Sequence, residues 1–188
     1  RRSIRLKGYD YSRAGAYSVT ICTHGRECLF GEVMDGDMRL NDAGQAAQAE
    51  WVQLPERFQF IELDEFVIMP NHLHGIILVG AGQTPPVGAH VGAGLAPPGG
   101  KSAASRGAAS RGAASSAPTL GYILRAFKSI SAIAVNRLLG RSGRSLWQRN
   151  YYEHIVRNEN ELARIREYIA NNPAQWALDR ENPNYAGA

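Results

Sequence analysis

The stretch from Gly80 to Pro118 sets the main limit on what this chain can fold into. It is dominated by Gly, Ala, Pro and Ser, and it carries the direct repeat ASRGA at 104–108 and 109–113. Such a segment cannot bury enough apolar surface to offset the entropy lost on ordering it. It reads as a flexible surface insertion at about 80–118, not as a linker between domains. The residues on either side must then pack together as a single domain spanning 1–188. The chain has 188 residues, 44% of them apolar, which suffices for one core and is short for two.

Outside the insertion the hydrophobic pattern alternates between two periods. Residues 16–23 (AYSVTICT) alternate and are rich in β-branched side chains, as a strand requires. Asn41-Asp42 can cap a helix running to about Gln53, with Ala43, Ala46, Ala47 and Trp51 at helical spacing. Leu54-Pro55 should end it. Residues 61–69 and 72–79 read as two strands joined at the turn signal Pro70-Asn71, hence a hairpin. Beyond the insertion, Leu120, Ile123, Leu124, Phe127, Ile130, Ala134 and Leu138 form one apolar helical stripe, which Gly140 to Gly143 ends. Residues 151–156 are short, aromatic and strand-like. Asn158 or Asn160 can cap a last helix that reaches about Asn171 and is stopped by Pro173. The order β-α-β-β-α-β-α predicts an α+β fold. Its first six elements match the ferredoxin-like split βαβ arrangement, an antiparallel sheet with helices on one face, and a C-terminal helix follows.

The formal net charge of +4 and pI of about 9.3 suit a nucleic-acid partner, although many soluble proteins share them. Cys22 and Cys28 are too few for a disulfide framework and lack zinc-finger spacing, so they read as reduced thiols. No run of about 18 apolar residues exists, so no membrane span is expected, and the cytoplasm is the default compartment. The basic N-terminus, Arg1-Arg2-Ser3-Ile4-Arg5, is not followed by the apolar stretch of a secretion signal.

Three segments carry candidate chemistry. In Pro70-Asn71-His72-Leu73-His74-Gly75, the histidines are at i and i+2 on a strand and so face the same way. Two imidazoles side by side are how a strand offers two ligands to one metal ion; two unrelated histidines near a turn would share the spacing. In Glu167-Tyr168-Ile169-Ala170-Asn171-Asn172-Pro173, Tyr168 and Asn172 are one turn apart on a helix face, which brings a phenol and an amide oxygen toward one point. A core tyrosine followed by helix-stop asparagines would look alike. The third segment, Leu146 to Arg157, interleaves aromatic and basic residues as a surface that stacks bases and contacts phosphates would. An apolar strand with a few solvated charges is the simpler account of that segment alone.

Together these segments resemble the HUH single-tyrosine transposases, particularly the REP-associated tyrosine transposases and their insertion-sequence relatives. The resemblance rests on the strand at 17–23, MPNHLHGI at 69–76, WQRNYYEHIVRN at 147–158 and EYIANNP at 167–173, in that order and spacing. It implies a divalent metal, Mg²⁺ or Mn²⁺, on His72 and His74, a nucleophile at Tyr168, and completion of the metal site by Asn172. Insertion-sequence relatives carry Gln at that last position, and the insertion at 80–118 departs from the compact family pattern.

The function so implied is a metal-dependent single-stranded DNA endonuclease and strand-transferase. Tyr168 would attack phosphorus and form a 5′-phosphotyrosine, leaving a free 3′-hydroxyl. The retained bond energy makes rejoining independent of ATP, and the chain has no GxxxxGK[ST] loop. The expected partner is single-stranded DNA beside a hairpin, and relatives act as homodimers or alone. Arg125, Lys128, Arg149 and Arg157 are candidate phosphate contacts, with Trp147 and His154 also assigned to the nucleic-acid surface. Two other readings stay open: a domesticated DNA- or hairpin-binding protein without cleavage, and an HUH replication initiator or relaxase.

Overall fold

The computed structural model of the protein describes residues 14–80 and 119–185. The central sheet is built from β1 (Gly15–Cys22), and, after the first helical region, β4 (Ile61–Met69), β5 (His72–Val79) and β6 (Tyr152–Val156). Its spatial order is β4-β5-β1-β6, with every neighbouring pair antiparallel. Between β1 and the sheet's second strand come a small hairpin, β2 (Gly31–Met34) and β3 (Asp37–Leu40), then α1 (Asp42–Val52) and the short α2 (Leu54–Arg57). After the insertion, α3 (Leu120–Leu138) leads to β6, and α4 (Glu159–Asn171) follows it. Leaving the hairpin aside, this is the expected split βαβ arrangement. Residues 81–118, which hold nearly all of the expected insertion, lie outside the described residues.

The hairpin is an addition to the expected element order. Asp35 (φ 53) and Gly36 (φ 84) both adopt the left-handed region, as the two central residues of a type I′ turn must. The Asp-Gly signal was therefore present, flanked by strands of only four residues each. As expected, α1 stops just before Leu54-Pro55, at Val52 with Gln53 as its cap, and Pro55 belongs to the separate α2. It sits in the first turn of α2, where its missing N–H costs nothing.

Side chains divide the sheet into two unlike faces. Tyr17, Val19 and Ile21 of β1 join Leu73 and Ile77 of β5 in one core, roofed by α1 and α3 through Ala47, Trp51, Ile123, Leu124 and Phe127. Trp51 meets Phe127 edge-on, with ring centroids 5.1 Å apart, and its indole lies over Gly75. A Cβ at Gly75 would stand 2.5 Å from Trp51 Cζ2, so the glycine that follows the two histidines is required by the opposite core. On the other face Ile76 meets Leu162 and Ile169 of α4, with Val67, Leu78 and Val156 around them. Asn158 caps α4 by accepting from Glu161 N at 2.9 Å. The helix thus crosses the face that carries the even-numbered residues of β5, among them both histidines.

Candidate metal centre and nucleophile

Strand alternation puts His72 and His74 on the α4 side with ring centroids 4.6 Å apart. Each imidazole is held at Nδ1. His72 Nδ1 is 2.9 Å from Asn71 Oδ1, and the Asn71 amide nitrogen donates to Arg26 O (3.1 Å) and Glu181 O (2.6 Å). That orientation leaves Asn71 Oδ1 as acceptor, so Nδ1 of His72 carries the proton and Nε2 presents a lone pair. Burial pushes the His72 pKa down to about 3; the Asn172 side chain opposes the shift and the Arg26 charge adds to it. His72 is therefore a neutral imidazole at physiological pH. His74 Nδ1 lies 2.8 Å from Thr20 Oγ1, its cross-strand neighbour. Its Nε2 is 3.5 Å from the Tyr168 hydroxyl.

Tyr168 projects from α4 with 49% of its surface exposed, and its ring stands edge-on to His74 at 5.2 Å. One turn later Asn172 is 3% exposed, and its Oδ1 is buried without a hydrogen-bond partner. A third element reaches the same place. After a 3-10 turn, Trp176–Leu178, Asp179 sets its Oδ2 3.7 Å from His72 Nε2. His72 Nε2 and Asp179 Oδ2 are likewise buried and unpaired. Ligand atoms of His72, His74 and Asp179 all lie within 4.8 Å of one another.

Lone pairs of a neutral imidazole, an amide oxygen and a carboxylate oxygen repel when brought together out of water, and each left unsatisfied costs free energy. A cation among them reverses the sign of every one of those interactions. The donor set, two imidazole nitrogens with amide and carboxylate oxygens, suits a divalent metal, and the Nδ1 contacts of both histidines are the usual second support of such ligands. The residues present fit the metal expected of this chain.

Beside Tyr168 opens a cleft of about 640 Å³, bounded by β1, β6, α4 and the segment 175–181. The sequence had placed its nucleic-acid contacts partly elsewhere. Trp147 does not offer its ring to a base. It is 5% exposed, packs 5.2 Å from Phe30 and 5.6 Å from Phe127, and donates from Nε1 to Ser131 Oγ. Lys128 donates to the carbonyls of Gln148 and Arg149, and partial burial lowers its pKa. Arg125 and Lys128 both belong to α3, across the sheet from the histidines. Arg149 and Arg157 are exposed, and His154 lines the cleft. Asn71, Thr20 and Asp179 are the site residues that sequence reasoning did not mark. Asn71 was read only as a turn residue, and nothing local to Asp179 announced it.

An uncharacterized protein of Haemophilus influenzae is 40% identical to this chain over 187 residues, covering 96% of the chain and 92% of that protein. The chain belongs to the same family as that protein. No family model matches it. Among solved structures, a REP-associated tyrosine transposase bound to a REP hairpin aligns with a TM-score of 0.56 over 94% of this chain and 77% of that one, at 15% identity. At that identity the likeness is one of fold, and the fold is the transposase's. Among the described residues no helix is long and apolar enough to cross a membrane.

Proposed function

We propose that this protein is a metal-dependent endonuclease and strand-transferase acting on single-stranded DNA, with Tyr168 as the nucleophile. One observation carries the reading: the Tyr168 hydroxyl stands 3.5 Å from His74 Nε2, at the rim of a buried group of unpaired donor atoms on His72, Asn172 and Asp179. His72, His74, Asn172 and Asp179 would hold the metal, Mg²⁺ or Mn²⁺, which when bound supplies positive charge to a phosphodiester. Tyr168 would then attack phosphorus with its phenolic oxygen, joining the 5′ phosphate and releasing a 3′-hydroxyl. The phenol gives up its proton as the bond forms, and the cleft that opens beside Tyr168 gives water a route to that proton. Thr20 and Asn71 keep both imidazoles turned toward the site. The reverse attack by a 3′-hydroxyl on the phosphotyrosine rejoins strands without added energy.

Single-stranded DNA fits because a cleft roofed by α4 admits one strand more readily than a duplex. A hairpin beside that strand is carried over from the matched transposase, which is bound to one. Tyr168→Phe removes only the phenolic oxygen. It should leave folding and DNA binding in place and abolish the covalent adduct on a denaturing gel with labelled single strands. Tyr151→Phe and Tyr152→Phe should keep the adduct. An adduct that persists in Tyr168→Phe, or maps to another tyrosine, refutes the reading.

A further inference from the structure

We propose that the cleft beside Tyr168 seats one unpaired nucleotide next to the scissile phosphate, its phosphodiester on Arg164 and its base on Tyr152 against His154. This rests on the reading of Tyr168 as a DNA nucleophile. The register of the sheet fixes the layout. Thr20 of β1 is paired with His74 on one side and Tyr152 on the other, and Ser18 is paired with His154. Tyr152 and His154 therefore share the face of the histidine pair, two strands away, or about 10 Å at the usual strand spacing. That is the span of a single nucleotide measured from its phosphate. β6 is an edge strand, so no further strand of the described sheet lies beyond Tyr152 and His154. Its volume, about 640 Å³, lies in the ordinary range for small-ligand sites, about 300–1,000 Å³.

The polar groups around the cleft divide cleanly. Two of its three carboxylates are engaged, Glu181 pairing with Arg26 at 2.9 Å and Glu161 accepting from Arg157 N at 2.8 Å and contacting His154 Nε2 at 2.7 Å, while the third, Asp179, belongs to the proposed metal site. Arg164 is exposed one turn before Tyr168, lines the cleft, and makes no ion pair or hydrogen bond among the described residues. Its neighbour Arg166 is instead committed to Asp64. Arg164 is thus the guanidinium on α4 left for a phosphate. Glu161 holds the His154 ring at Nε2, so in the neutral ring Nδ1 is a fixed acceptor. It matches a base edge that presents an amine, while the Tyr152 ring supplies a stacking surface tolerant of base identity.

Two measurements on the full chain test this. In the first, a single-stranded oligonucleotide library with randomised positions is reacted, and both the covalently attached and the released strands are sequenced. The unmodified protein should show a preference of about tenfold, one hydrogen bond's worth, for amine-bearing bases at one position adjoining the joint. Tyr152→Leu and His154→Phe, which keep apolar bulk in the strand, should still form adducts and lose that preference. In the second, binding of a random single-stranded 30-mer is measured against salt. Arg164→Gln should lower the slope of log K against log salt by about 0.7, one single-strand phosphate contact, and Arg125→Gln on the far face should leave it unchanged. Adducts whose base preference is absent, or survives both substitutions, would overturn the seat, as would an unchanged slope in Arg164→Gln. Absence of any adduct from the unmodified protein would instead remove the nuclease reading.

Discussion

At the scale of single residues, the proposed metal site depends on side chains outside its ligand set. Thr20→Val keeps the shape of β1 and removes the oxygen 2.8 Å from His74 Nδ1. Loss of such an outer partner weakens metal binding about 10- to 100-fold. Titration with Mn²⁺, read by its paramagnetic resonance, should show that loss with folding unchanged. Asp179→Asn keeps volume and removes the charge; it should weaken Mn²⁺ at least as much, and unaltered affinity would exclude Asp179 from the ligand set. Periods of two and of nearly four let the sequence place His72 with His74, and Tyr168 with Asn172, on shared faces; their proposed roles came from the family resemblance. Asp179 could not be placed this way, since it sits on an irregular segment brought back to the site by long-range contacts such as Asn71 to Glu181. Trp147 was misplaced for a related reason: an aromatic residue between basic ones carries no periodic mark of which way it points, and here it fills the core beside Phe30.

At the scale of elements, two features hold the strand and the helix that meet at the site. Gly75→Ala would drive a methyl into Trp51, an overpacking that costs about 1–3 kcal/mol. A lowered urea midpoint, together with weaker metal binding, is the expected result. The tyrosine helix is tied to β4 by a two-pronged pair, Arg166 Nε and Nη2 on Asp64, next to the register shift between Leu63 and Phe66. The Arg166 guanidinium holds the Asp64 carboxyl below its ordinary range. A depressed carboxyl contributes stability that is present above the unfolded pKa, about 3.9, and is lost as pH falls through the folded value. The stability difference between the native chain and Asp64→Asn should therefore be flat from pH 7 to about 5 and vanish in stronger acid; a difference that grows on acidification would contradict the pairing. The long elements were legible from sequence because each spans several periods. β2 and β3 were not, because four residues barely complete two alternations, and only the Asp35-Gly36 turn marks them.

At the scale of the molecule, the described residues on both sides of the insertion share one sheet, since β1 pairs with β5 before the insertion and with β6 after it. Deleting residues 82–117 and closing the gap with a short Gly/Ser linker should retain most of the thermal stability and the proposed metal site, because that stretch of sequence has no periodic apolar pattern. A loss of cooperative melting would show that the segment is part of the fold. The burial of β5 on both faces has a wider meaning for how such a chain can fail. A slip of one residue in its pairing would exchange the two sides of the strand, turning imidazoles into the apolar layer under Trp51 and leucine toward α4. No intermediate register leaves half of the histidine pair in place. If the proposed metal site is right, tight uptake of a divalent ion by a population of molecules is then a test of correct assembly, and misregistered copies would lose it together with their stability.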